Sequence, residues 1–239
     1  MVAKFNLYDF IANLIPGLVF LWCIGLMAVL VGAHLPLDFS GGLAETSIMI
    51  ALGYVAGLML QAASERFIQR RFLLPKWGGF PSARWLLPDD THFSKSYKDQ
   101  LNALIAERFK VSTTIESPSG CTEDEARNTH LKRAQELFYL CYHYVDNLNP
   151  RPQIFNAQYG LFRCLFGLFG LLCVLSLFGI VAALASNSHT AQIFLLLAGL
   201  FGVCSWLSYE RCKKRSEDFA QSVYDLFLAR VVAKPGGEP

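Results

Sequence analysis

A chain of 239 residues that is 53% apolar, 13% aromatic and only 17% charged is not an average soluble domain. Its apolar residues gather in blocks, which excludes a uniformly greasy globule. The formal net charge of +2 conceals a strong asymmetry in where the basic residues lie.

Met1 to Phe10 is short and amphipathic, with Phe5, Tyr8 and Phe10 suited to a membrane interface and Asn6 or Asp9 placed to cap a helix. Residues 11–33 follow, 23 residues without a charge. At about 1.5 Å per residue they cover roughly 35 Å, enough for a hydrocarbon core of about 30 Å. The run exceeds the 7–15 apolar residues of a signal peptide, and the start carries Asp9 as well as Lys4, so a retained span is expected. Pro16 and Gly17 fall inside it. Proline removes a backbone donor, so a kink is expected there, with Pro16-Gly17 as a hinge and Asn13 serving the freed carbonyl.

Residues 34–43 form a turn-rich loop without lysine or arginine. The second span, 44–63, carries Gly53 and Gly57, a GxxxG spacing that lets helices approach closely. Gln61 should lie at the depth of Asn13, which predicts an interhelical amide bond worth about 1 kcal/mol. The helix then continues into water from Ser64, placing Arg66, Arg70 and Arg71 at headgroup level. Residues 73–88 hold three prolines and two glycines and read as an interfacial loop, with Trp77, Phe80 and Trp85 against lipid or the domain.

Residues 90–111 read as a helix capped by Ser94, with Tyr97, Leu101, Leu104, Ile105 and Phe109 on one face. Thr122 and Glu125 make a capping box for the next helix, to about Leu148. On it Leu131, Ala134, Phe138, Cys141, Val145 and Leu148 recur at alternating spacings of three and four, an a/d seam. The seam closes either on the helix 90–111 or between subunits. Asn149-Pro-Arg-Pro152 breaks the helix, and a new one from near Gln153 becomes the third span, 159–185, with Arg163 snorkelling at its inner edge. The loop 186–190 is again free of lysine and arginine. The fourth span, 191–209, runs into a basic collar of Arg211, Lys213, Lys214 and Arg215. An amphipathic tail helix (210–239) with Phe219, Val223, Leu226 and Phe227 on one side ends the chain.

Of 21 basic side chains, one precedes the first span, fourteen lie between Ser64 and Arg163, and six follow the fourth span. The positive-inside rule therefore places both termini and the middle segment in the cytoplasm. The expected fold is an all-α membrane protein. Its parts are an N-terminal transmembrane hairpin (1–63), a small helical cytoplasmic domain (64–158), a C-terminal hairpin (159–209) and the tail, in a bacterial inner membrane.

No Asp, Glu, Lys, Arg or His lies within the apolar cores, which argues against a proton relay, voltage sensor or ion-coupled carrier. An oligomer could still line a pore with Ser, Asn and backbone. Asp89, Asp90 and His92 have no further carboxylate or histidine nearby and read as a solvated turn and cap. Arg127 and His130 are separated by two residues, too few for the Arg and His of RNA-cleaving HEPN domains. His143, between Tyr142 and Tyr144, reads as packing. No nucleophile elbow, phosphate loop or HExxH occurs. The seven scattered cysteines form no CxxC pair and read as small apolar fillers. No enzyme activity, metal or cofactor is expected. The arginines and lysines of the collar, with Arg66, Arg70, Arg71 and Arg163, are assigned to anionic lipid headgroups or a partner, and nucleic acid is set aside.

The opening Asn6-Leu-Tyr-Asp-Phe10, leading to Leu14-Ile-Pro-Gly17, and the stretch Asn156-Ala-Gln-Tyr-Gly-Leu-Phe-Arg163 resemble segments of small multi-span prokaryotic membrane proteins. Such proteins turn up among the multi-span accessory proteins of antiviral defence systems, examples being the membrane companions of RNA-targeting CRISPR effectors and the membrane subunit of the Kiwa system. The resemblance implies a membrane component that reports infection or harms the membrane when a soluble partner signals. The expectation is a homo-oligomer built through the GxxxG face and the seam, contacting lipid and a soluble cytoplasmic protein. A non-conducting scaffold or sensor, and a channel or lipid-binding protein outside immunity, are the alternatives.

Overall fold

The computed structural model describes residues 7–30, 42–113, 122–146, 148–185 and 190–233. The expected outer loops, the end of the first span at 31–33, Asn6, Cys121 and residues 234–239 fall wholly or largely outside them. All the regular elements among the described residues are helical. They are α1 (Leu7–Leu30), α2 (Leu43–Ala63), a π-helical segment (Ser64–Leu73), α3 (Leu74–Trp77), α4 (Pro81–Arg84), α5 (Lys95–Phe109), α6 (Glu123–Val145), α7 (Arg151–Ala185) and α8 (Ala191–Ala233). Four stretches are helical, long and apolar enough to cross a membrane: Ala12–Leu30, the run that begins with α2, α7 and α8.

The chain divides into two compact units, residues 1–72 with 157–213, and 73–156 with 214–239. In the first, α1 and α2 pack through glycines, as detailed below. Cys23 of α1, Leu168 and Leu172 of α7 and Phe201 of α8 form its buried centre. Small polar groups stitch α7 to α8: Ser205 Oγ donates to the Phe166 carbonyl at 3.1 Å and Cys173 Sγ to the Ala198 carbonyl at 3.4 Å. Such bonds satisfy hydroxyls and thiols that the surrounding apolar side chains would leave stranded.

The second unit is a small helical core. Leu101 and Ile105 of α5, Ala134, Phe138, Cys141 and Val145 of α6, and Ala220, Val223, Tyr224 and Phe227 of α8 are buried together with Trp85. The tail expected to be a separate amphipathic helix is therefore part of this unit, and it is continuous with the fourth span in one 43-residue helix. Its apolar face is covered by α5 and α6, which is the cheaper state for four side chains that would otherwise face water.

Local signals explain the helix ends. Ser94 Oγ accepts from the Tyr97 amide at 3.3 Å. Thr122 and Glu125 form the reciprocal capping box, at 3.4 Å and 3.0 Å. Asn149 Oδ1 accepts from the Arg151 amide at 2.9 Å, so α7 begins two residues before the expected start, with Pro152 in a first turn that needs no proline donor. The expected loop 73–88 is instead two short helical turns. Gly78 and Gly79 join them at φ 66° and 114°, backbone that a side chain would strain.

Trp77 and Trp85 are buried in the second unit. Asp90 organises this corner: it takes Arg84 Nε and the His92 amide, each at 2.8 Å, and the His92 ring stacks on Trp85 with centroids 3.6 Å apart. Buried Lys98 donates to the Leu87 carbonyl at 2.6 Å and to the Asp90 carbonyl. Tyr224 donates to the Ser82 carbonyl.

Candidate functional site

The π-helical segment is where the first unit departs most from ordinary helix geometry. Its i→i+5 winding, with more than four residues per turn, brings residues five apart to neighbouring positions on one face; in an α-helix they would lie about 140° apart. Ser64 and Gln69 are such a pair, and both reach Arg163 of α7. Arg163 Nε donates to Ser64 Oγ at 3.2 Å and Nη1 donates to Gln69 Oε1, which also accepts from the Tyr159 hydroxyl at 3.1 Å. The guanidinium lies over the Tyr159 ring, 5.4 Å from its centroid. A second pair confirms the winding: Glu65 and Arg70 form an ion pair at 3.5 Å.

Arg163 is only 6% exposed, so it does not snorkel as expected. Among the described residues no carboxylate pairs with it. A guanidinium stays charged, and burying it without a counter-ion is tolerated here because two neutral oxygens and an aromatic face replace part of its hydration. At the next residue of α7, the Cys164 thiol donates to Gln61 Oε1 at 2.6 Å and lies 3.3 Å from Ser64 Oγ. Beside this clasp runs an open groove of about 140 Å³, lined by Leu60, Ala63, Ser64, Phe67, Ile68, Cys164, Gly167, Leu168 and Leu171.

The other expected site residues fall as follows. Gly53 and Gly57 are buried against α1 of the same chain: a Cβ at Gly57 would land on the Asn13 carbonyl oxygen, and one at Gly17 on the Gly53 carbonyl oxygen. α1 runs unbroken through Pro16. Gln61 reaches across to α7. The small residues Gly160 and Cys164 leave room for its amide there. Of the seam, Ala134, Phe138, Cys141 and Val145 are buried in the second unit's own core and Leu131 is packed against it. α6 ends at Val145, so Leu148 lies past the helix and is 43% exposed.

Arg66, Arg70 and Arg71 are exposed, as are Arg211, Lys213 and Lys214. Arg215 is tied back to Asp218 at 2.9 Å, and Lys214 reaches the same carboxylate at 3.3 Å. In the second unit Arg151 and Arg215 each lie 5.5 Å from the Phe155 ring centroid, in an open cleft of about 540 Å³ where Asp218 and Asp225 balance their charge.

The clasp is equipped for holding and positioning. Among the described residues no group of three or more His, Cys, Asp or Glu could hold a metal ion. Outside the spans, burial pushes the Cys141 thiol up to about 12. Hydrogen bonds from Thr122 hold the Glu125 carboxyl below the usual range. Neither change creates a nucleophile–base pair. Sequence reasoning missed Ser64 and Gln69 because α-helical winding puts them on different faces. Tyr159, four residues before Arg163 on α7, was the one legible partner. The chain matches no family model, no curated protein and no solved structure.

Proposed function

We propose that the protein is a non-enzymatic, multi-pass inner-membrane scaffold or sensor that presents a helical cytoplasmic unit to a soluble protein partner and does not conduct ions. One observation carries this reading. The GxxxG face and the α6 seam, the surfaces expected to assemble an oligomeric pore, are both occupied within a single chain. The membrane setting is supported by the apolar surface of the long helices. Val55 and Met59 on α2, Phe178 and Val181 on α7 and Leu196 and Trp206 on α8 are 53–74% exposed, far more than a surface in water retains. The distribution of basic residues supports cytoplasmic termini.

The clasp at Arg163 is the relay in this reading. It joins α7 to the π-helical continuation of α2, so a change at the inner membrane surface alters two spans together. A bacterial antiviral system is the setting we propose, on the resemblance of the two short motifs alone. The test is reconstitution of the full chain into vesicles loaded with a potassium-sensitive dye, with co-purification from cells expressing the neighbouring genes in parallel. A tight vesicle and a co-purifying soluble protein are expected. Ion flux from the purified chain would overturn the non-conducting reading.

A further inference from the structure

The same winding that builds the clasp sorts the rest of the π-helical segment into stripes. Ser64 and Gln69 face Arg163, and Glu65 pairs with Arg70. The next two stripes are Arg66 with Arg71 and Phe67 with Phe72. Both arginines are exposed, and among the described residues neither has an acidic partner within 4 Å. The two phenylalanines are 56% and 62% exposed. Phe67 also lines the 140 Å³ groove, together with Leu60, Ala63, Ile68 and Leu168.

We propose that this segment is a binding site for one anionic phospholipid, its phosphate held between Arg66 and Arg71 and an acyl chain lying along Phe67 into the groove. The reasoning is charge and chemistry. Two guanidiniums on one stripe repel each other unless an anion bridges them, and a phosphate offers oxygens for both. An adjacent apolar stripe at the inner end of a span meets the region where headgroup gives way to hydrocarbon. The groove is apolar along most of its wall, as an acyl chain requires. Arg70 takes no part, because Glu65 already holds it. In an α-helix the neighbours of Arg66 would be Gln69 and Arg70, with Arg71 about 140° away. The wider π winding brings Arg71 round to the face of Arg66, where Arg70 also lies, and it is the Glu65 pair that sets Arg70 apart from Arg71.

The site rests on the membrane reading above, and the two fail separately. A chain released from membranes by alkaline carbonate fails the membrane reading; an inserted chain without lipid preference fails only the site. The experiment is native mass spectrometry of the detergent-purified full chain, titrated with phosphatidylglycerol or phosphatidylcholine. The wild type should retain phosphatidylglycerol in preference. Arg66→Gln with Arg71→Gln should weaken it about thirty-fold, two juxtamembrane cations' worth, leaving phosphatidylcholine unchanged. Arg70→Gln should weaken it less than about twofold, as for an exposed ion pair. Inorganic phosphate should not displace the lipid. Equal retention of the two lipids, an effect of Arg70→Gln as large as that of Arg71→Gln, or displacement by inorganic phosphate would each overturn the proposal.

Discussion

Adding one methyl group at Gly57 should separate α1 from α2. Its Cβ would lie 2.6 Å from the Asn13 carbonyl carbon and still closer to the oxygen. Two carbons sit comfortably at about 3.5–4.0 Å, so the backbones must part by about 1 Å. No flexible side chain stands between them to absorb the strain, because both obstructing atoms belong to the α1 backbone. Overpacking of this kind costs about 1–3 kcal/mol. For a chain of this size that corresponds to roughly 2–12 °C in melting temperature. Gly199 supplies the control. It is also a glycine in a spanning helix, but a Cβ there meets nothing within 4 Å. Alanine at that position should leave stability unchanged or raise it by up to about 1 kcal/mol through helix propensity. The assay is thermal unfolding of the detergent-purified Gly57→Ala and Gly199→Ala variants, followed by tryptophan fluorescence, with Gly57→Leu as a stronger form. Equal melting of Gly57→Ala and wild type, or an equal fall in both alanine variants, would refute close backbone packing as the role of the GxxxG face.

Four further outcomes are expected. Gln69→Leu leaves the Arg163 Nη1 donor without its acceptor and should cost about 2–3 kcal/mol, whereas Arg70→Leu should stay within about 0.5 kcal/mol in the same melting assay. Tyr224→Phe removes the hydroxyl bonded to the Ser82 carbonyl and should destabilise the second unit by about 1–3 kcal/mol, read by hydrogen exchange of α6 amides. The Glu125 carboxyl is held low in the folded state by the Thr122 amide and hydroxyl, so its stabilisation is present above the unfolded value near 4.3 and is lost as pH falls through the lower folded value. Exchange protection in the first turn of α6 should therefore decline in acid, and Glu125→Gln should flatten that decline. With its thiol near 12, Cys141 should be about 1 in 10⁴ thiolate at pH 8 and should resist maleimide until the unit unfolds, a result peptide mapping by mass spectrometry would read directly.

The sequence was most informative where a single local rule acts. Four long apolar stretches, the capping box at Thr122 and the cap at Ser94 all follow from residues a few positions apart, and the structure places a helix start at each cap. Heptad spacing likewise identified the buried face of α6, because a period of 3.5 needs no knowledge of what covers it. It could not name the cover. The core of the second unit draws Leu101, Phe138 and Tyr224 from helices separated by tens to more than a hundred residues, and only packing brings the tail back to α5 and α6.

The segment after α2 marks the sharper limit. Composition alone put Arg66, Arg70 and Arg71 at the end of a span, and nothing in those letters distinguishes an i→i+4 ladder from an i→i+5 one. The choice is made by tertiary contacts: the bonds from Arg163 to Ser64 and Gln69, and the packing of Ile68 against Gly167, hold the wider winding in place. By itself the sequence determined which stretches are helical and apolar, since these depend on short-range propensity and hydration. Tertiary structure decided which faces meet and where Arg163 is buried, since a desolvated charge is stable only where distant chain segments supply its partners.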